Sequence, residues 1–333
     1  MTHKASAIAH PNIAFIKYWG LRDEVNRLPA NDSISMNIDG LTTFTSVEFD
    51  ASFQEDHLSL NGEEITGKSL TRVQKFMDRI RQLADVQVFS CISSENNFPT
   101  GAGVASSASG FAALALAGTA ALGLDLTSEE LSTLARFGSG SASRSIPGGF
   151  VEWHTDPDTG NSYAKSFAPA DHWDLVDCIA IFSEAHKPVG SQAGMLLADT
   201  SPLQAARLQD AARRLEICRL AILNKDFAAL SAITELDSNM MHAVMMTSNP
   251  PLFYWQPGSL ALMKAVKEWQ SEGLDVTYTL DAGPNVHLIC LPNVLDILIE
   301  RIRTFPGVIN VLHGKPGGPA RLVSNEGIGI AQK

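Results

Sequence analysis

ENNFPTGAGVASSASG, residues 95–110, joins an expected strand over Val86–Ile92 to a long apolar helical segment that begins near Ser106 and runs to Leu122. Strand, small-residue loop and helix form a layout suited to phosphate. Gly101 and Gly103 lack a Cβ, so backbone can approach a ligand and turn its N–H groups inward. Ser106, Ser107 and Ser109 add hydroxyl donors beside the helix N-terminus, where aligned peptide dipoles favour an anion. The stretch is neither G-x-x-x-x-G-K-[ST] nor a G-x-G-x-x-G after a strand, so neither common nucleotide fingerprint applies. A tight loop that merely packs a buried helix is the alternative.

The length of 333 residues favours two domains, and 45% apolar with 18% charged residues describes an ordinary globular protein. A net charge of −11 argues against nucleic acid or an anionic membrane as partner, so an anionic substrate must be held by a few local cations. Cys91, Cys178, Cys218 and Cys290 form no C-x-x-C pair and read as free thiols. The first residues lack a signal peptide's apolar core, and the Ala- and Gly-rich segment Gly110–Leu124 is too short to span a bilayer; a cytoplasmic protein is expected.

Four further clusters lie on either side of the loop. KYWGLRD, residues 17–23, ends an expected strand over Ala5–Ile16 and reads either as a binding element or as an amphipathic strand end with a snorkelling Lys17. GSGSASRSIPGGF, residues 138–150, holds one charge, Arg144, among Ser139, Ser141, Ser143 and Ser145. A guanidinium among hydroxyls suits a carboxylate or phosphate, though a structural Arg that pairs across the fold fits too. GSQAGM, residues 190–195, is another small-residue stretch. Asp281 closes a strand over Val276–Leu280 and precedes Ala282-Gly283-Pro284, as a catalytic carboxylate or an Asx turn. Elsewhere, Leu70, Val73, Phe76, Met77, Ile80 and Leu83 predict a helix; Met240, Met241, Met245 and Met246 read as core filler, and His242 as a structural histidine.

Pro99 to Ala108 is similar to P-x-x-x-G-L-x-S-S-A of the GHMP kinase superfamily, with Val104 for the usual Leu. With NIAFIKYWGLRD, LPANDSIS, GSGSASRS, GGFVEW, Gly194-Met195, DSNMMHA and YTLDAGPN, the chain from Ala9 to about Leu291 resembles the ATP-dependent mevalonate diphosphate decarboxylases. The resemblance implies an α+β, two-domain GHMP-kinase fold: residues 1–183 as an α/β nucleotide-loop domain and 184–333 as a ferredoxin-like domain. It implies ATP and Mg2+ as cofactors, a homodimer, and no metal-ligating side chains. ATP would phosphorylate the tertiary hydroxyl of a mevalonate 5-phosphate or 5-diphosphate, and loss of that phosphate would drive release of CO2.

By the same resemblance Asp281 deprotonates or orients the hydroxyl, Lys17 stabilises the transferred phosphoryl group, Arg144 holds the substrate carboxylate, and Ser139 and Ser141 touch substrate, with Ser141 nearer the reacting phosphate as a fourth catalytic residue. Tyr18, Ser191, Gln192 and Met195 complete the substrate site. Asn96, Pro99, Gly101, Gly103, Ala105, Ser106 and Ser107 form the nucleotide site. Two departures matter: Leu21 stands where the family has a Lys, and Gln192 where some members carry an Arg. Fewer cations favour a monophosphate, and Tyr254–Pro257, YWQP, resembles the phosphomevalonate decarboxylase branch. Mevalonate 5-phosphate, giving isopentenyl phosphate, is therefore the expected substrate. The alternatives are the diphosphate with Arg22 or Lys187 compensating, a GHMP kinase that does not decarboxylate, and a non-catalytic ligand sensor.

Overall fold

A computed structural model describes residues 3–98, 106–156, 158–185 and 189–324. The segment expected as one strand over Ala5–Ile16 is two, β1 (His3–Ala9) and β2 (Asn12–Ile16). Pro11 between them has no N–H to give a ladder. The two diverge into different sheets. β1 lies between Arg321–Val323 and Thr43–Asp50 in a sheet of six strands among the described residues, whereas β2 pairs with Ser33–Asp39.

Ser33–Asp39 belongs to a larger sheet of eight strands among the described residues. Its other neighbours are Phe150–Thr155 and, through Lys315 opposite Asp39, the strand Asn310–Pro316. That strand continues to Val176–Ile181, Val286–Cys290 and Val276–Thr279, so one sheet runs through both halves of the chain. Backbone hydrogen bonds thereby fix the end of Val276–Thr279, next to Asp281, relative to β2, which carries Lys17 at its end.

α1 (Gly67–Ala84) packs on α2 (Ser106–Ala121), α2 packs on the sheet that holds β1, and α3 (Ser128–Gly138) bridges α2 to the strand Ser162–Ala168 of the larger sheet. α2 carries no charge and is apolar on every side because it is buried on every side, between the sheet, α1 and α3. Gly118 lets α1 approach: a Cβ there would come within 2.8 Å of Ile80 Cδ1. Thr127 caps α3 in a reciprocal capping box with Glu130. α3 then runs into a 3-10 turn, Gly140–Ser145, which places the Arg144 cluster beside the N-terminal turn of α2. Among the described residues no helix is long and apolar enough to cross a membrane.

Candidate active site

β2, the 3-10 turn, the start of α2 and the Asp281 strand end converge on a cavity of about 310 Å³. It is lined by Lys17, Tyr18, Ser139, Ser141, Arg144 and Asp281, together with Ser106 and Ser107. Ser191, Gln192 and Met195 line it from the short helix Ser191–Met195. Pro99, Gly101, Gly103, Ala105 and Lys187 lie outside the described residues. Asn96 does not line this cavity: Thr43 donates to its side-chain oxygen at 2.6 Å and its N–H donates to Asn61 at 2.8 Å, which ties it into the end of strand Phe89–Asn96.

Lys17 Nζ donates to Asp281 Oδ1 at 2.7 Å, closing a contact between residues 264 positions apart. Burial by itself would push the Asp281 carboxyl up; the Lys17 charge beside it, with His287 and Arg144 adding, outweighs burial and holds it below its ordinary value. Asp281 is an ionised carboxylate at neutral pH. The Lys17 backbone is clamped on both sides. Its N–H donates to Asp237 Oδ1 at 2.7 Å, and its carbonyl accepts from Arg207 at 2.7 Å and Asn31 at 3.0 Å. Arg214, fully buried, in turn holds Asp237 at 2.7 Å.

Arg144 is the opposite case. It is 4% exposed, yet its bonds go to neutral oxygens: Nη1 to Ser33 at 2.7 Å, Nε to Ser35 at 3.1 Å and to Asn12 at 3.3 Å. Among the described residues it has no carboxylate within ion-pair distance. Burial pulls its pKa down to about 10, against the raising influence of Asp281. A buried cation held in place by hydroxyls and lacking a counter-ion is a receptor for an anion. Asn12 also donates to the Ser141 carbonyl at 3.0 Å and to Ser145 Oγ at 2.8 Å, so it braces the turn that carries Arg144.

A hydroxyl row links the two sides of the cleft. Ser107 Oγ lies 3.3 Å from Ser139 Oγ, and Ser139 Oγ 3.2 Å from Ser141 Oγ. Tyr18 meets Trp153 edge to face at 4.7 Å, and burial pushes its phenol far up, so it stays a neutral donor. Gly140 permits this: a Cβ would sit 2.6 Å from the Tyr18 ring.

Several lining residues were not legible as such. Arg27 and Arg72 line the same cleft as Gln192 and Leu21, and Met241, read as core filler, lines it as well as packing the core. His242 is buried behind Asp281, stacked on Trp255 at 4.8 Å and pulled down to about 3 chiefly by burial. In YWQP, Tyr254 bonds the Val189 carbonyl at 3.0 Å and packs on Trp19, Trp255 stacks on His242, and none of the four lines the cavity.

Two family models match: the diphosphomevalonate decarboxylase-like N-terminal domain over residues 9–164, and the mevalonate 5-diphosphate decarboxylase C-terminal domain over 178–314. A diphosphomevalonate decarboxylase of Candida albicans is 42% identical over 92% of this chain and 90% of its own. The mevalonate diphosphate decarboxylase of Staphylococcus aureus superposes with a TM-score of 0.92 at 36% identity, covering 97% of this chain and 99% of that one. A structure of MDDEF in complex with MVAPP, AMPPCP and magnesium superposes at 0.91 with 38% identity, over 97% and 100% of the two chains. Fold and cleft together define an enzyme of the GHMP kinase superfamily with the two-domain α+β fold. The chain belongs to the diphosphomevalonate decarboxylase family and is an ATP-dependent carboxy-lyase. These names back the diphosphate reading over the monophosphate one drawn from Leu21 and Gln192.

Proposed function

We propose that the protein decarboxylates mevalonate 5-diphosphate to isopentenyl diphosphate, at the expense of ATP. The observation that carries this reading is the Lys17–Asp281 pair at 2.7 Å in one cleft with a buried Arg144 that has no carboxylate partner among the described residues. Arg144 takes the substrate carboxylate. Asp281 accepts a hydrogen bond from the tertiary hydroxyl and directs its oxygen toward the terminal phosphate of ATP. Held below its ordinary pKa, Asp281 is a weak base, so the proton moves late, as the new P–O bond forms. Lys17 offsets the charge on the phosphoryl group in flight, and Ser106, Ser107, Ser139 and Ser141 supply donors around it. When the new phosphate departs, the electrons of the C–CO2 bond move into the forming alkene, from a carboxylate that Arg144 has kept in position.

The distal diphosphate falls to Tyr18, Ser191 and two cations that the motif comparison overlooked. Arg27 and Arg72 line the cleft beside Gln192, whereas Arg22 is exposed and does not. They replace the charge missing at Leu21 and Gln192, which is why the diphosphate is the better fit. Magnesium would be held mainly through nucleotide phosphates, because Asp281 is the one carboxylate lining the cleft among the described residues, and would supply positive charge against those phosphates. The division into domains 1–183 and 184–333 and a homodimeric state, checked by light scattering, belong to the same proposal.

The test is ATP-dependent CO2 release from mevalonate 5-diphosphate and 5-phosphate at matched concentrations. Preference for the diphosphate is expected, and its loss on substituting Arg27 and Arg72 together with Ala. Preference for the monophosphate in the unaltered protein would overturn the reading.

A further inference from the structure

Beside the cleft lies a second, larger cavity of about 700 Å³ on the outer face of α1. Arg27, Arg72 and Gln192 line both cavities, so the two adjoin through these side chains. Lys68, Lys75 and Arg79 line only the outer one. Residues 68, 72, 75 and 79 follow helical spacing and make one cationic stripe, flanked by buried Phe76, which lines the same cavity, and turned away from buried Met77. In a chain of net charge −11, this cavity has five cations and, among the described residues, no carboxylate in its wall.

Opposite charge reaches Arg27 only from a distance, through Glu24. Among the described residues none of the five is in an ion pair, although neighbouring Arg81 of the same helix is paired with Asp56 and Asp78. Arg72 gives its donors to the Gly138 carbonyl, and Arg79 lies 3.8 Å over the Phe137 ring. Like charges four apart disfavour a helix. Arg72 is pulled down to about 10 by burial and then by the Arg27 charge, and Arg27 is pulled down by burial, against the raising influence of Tyr18 and Glu24 and with Arg79 adding to the fall. The chain thus concentrates repelling cations in a concave space open to solvent, which is relieved when an anion enters.

We propose that the outer cavity is a polyphosphate site, separate from the substrate site but sharing Arg27 and Arg72 with it. A chain of phosphates matches the extended row of cations along α1 better than a single phosphate, and a small anion reaches a concavity that the negative surface denies to nucleic acid. Two sources have this chemistry: the phosphate tail of a nucleotide and free inorganic polyphosphate. An occupant would draw on Arg27 and Arg72 and compete with the substrate's distal phosphates.

The test is calorimetric titration of sodium tripolyphosphate into the whole protein without magnesium, so that it stands apart from turnover and from the identity of the substrate. The variant is Lys68→Ala with Lys75→Ala, two exposed side chains whose loss leaves the core of α1 untouched. The unaltered protein should bind, with an affinity that falls steeply with salt, and the double variant should bind about tenfold or more weakly. A parallel rise in the KM for ATP would assign the site to the nucleotide's phosphates; an unchanged KM for ATP would assign it to free polyphosphate. No binding by the unaltered protein, or equal affinity in the variant, overturns the proposal. So does a matching rise in the KM for the phosphorylated substrate, which would merge the two cavities into one site.

Discussion

Replacing Arg144 by Gln should separate catalysis from stability, because the guanidinium meets only neutral groups of the fold, the oxygens of Ser33, Ser35 and Asn12 and the Trp153 ring at 5.9 Å. A bidentate grip on a carboxylate comprises two charge-assisted hydrogen bonds, each worth about 1.5–3 kcal/mol, and Gln offers neither the charge nor the fork. Losing about 3–6 kcal/mol from the transition state lowers kcat/KM by roughly 10²- to 10⁴-fold. The effect on folding runs the other way. Burial of an unpaired cation opposes folding, and Gln removes that cost while its amide can still donate to Ser33 or Ser35 in place of the bonds at 2.7 and 3.1 Å. Tm should therefore stay within a few degrees of the unaltered protein. The assays are ATP-dependent CO2 release at substrate concentrations well below KM, and scanning calorimetry without ligands. A kcat/KM within about threefold of the unaltered value would remove Arg144 from the reaction, since one ordinary hydrogen bond already accounts for that much. A collapse in Tm would show it to be structural.

Three other outcomes are expected. In Lys17→Met the largest of the influences that together outweigh burial is gone, so the Asp281 carboxyl rises, and the acidic limb of residual turnover moves to higher pH; an unmoved limb would uncouple the pair. The sign for stability follows: in the unaltered protein the contribution of Asp281 is present above its ordinary value of 3.8 and is lost as pH falls through the lower folded value. Gly140→Ala puts a methyl 2.6 Å from the Tyr18 ring, so the ring must shift, and substrate KM should rise about tenfold or more with Tm lowered by a few degrees; an unaltered KM would exclude Tyr18 from substrate contact. Asp237→Asn strips the counter-charge from fully buried Arg214, which keeps only Asp210 at 2.9 Å. The cost is about 3–5 kcal/mol, a fall in Tm of roughly 5–15 °C by thermal melt, and a drop of under 2 °C would deny the pair a structural role.

The parts of the fold that announce themselves in the sequence are those built from local rules. Thr127 and Glu130 stand three apart and form the capping box, and the apolar spacing over Ser69–Leu83 became α1. Asn61-Gly62 turns with φ of 51° and 81°, as the dipeptide predicts. Misreadings came where one residue diverts the chain. The strand expected over Val86–Ile92 is Phe89–Asn96, because Asp85 ends α1 in the left-handed region and the Val86 N–H bonds back to the Arg81 carbonyl, spending residues 86–88 on the connection.

The site was legible in its chemical groups but not in its electrostatics, since charge in a cleft is set by contacts made across the whole chain. LPANDSIS reads as a polar loop, yet Ser33–Asp39 is a strand buried for six of its seven residues, and its serines are what hold Arg144. Nothing near Arg144 in sequence says whether its partner is a carboxylate of the fold or one yet to arrive. Arg214 has Asp210 four residues before it and meets Asp237, 23 positions on, whereas Arg144 has no carboxylate near it in sequence and meets only hydroxyl and amide oxygens and the Trp153 ring. The count of cations for the distal phosphates failed for the same reason. Leu21 and Gln192 are visible losses inside recognisable motifs, whereas Arg27 sits in the following turn and Arg72 on α1, outside every motif, and Arg72 enters the cleft only once α1 is packed against α2 and α3. A motif comparison therefore underestimates the charge of a site whose cations come from elements the motifs do not contain.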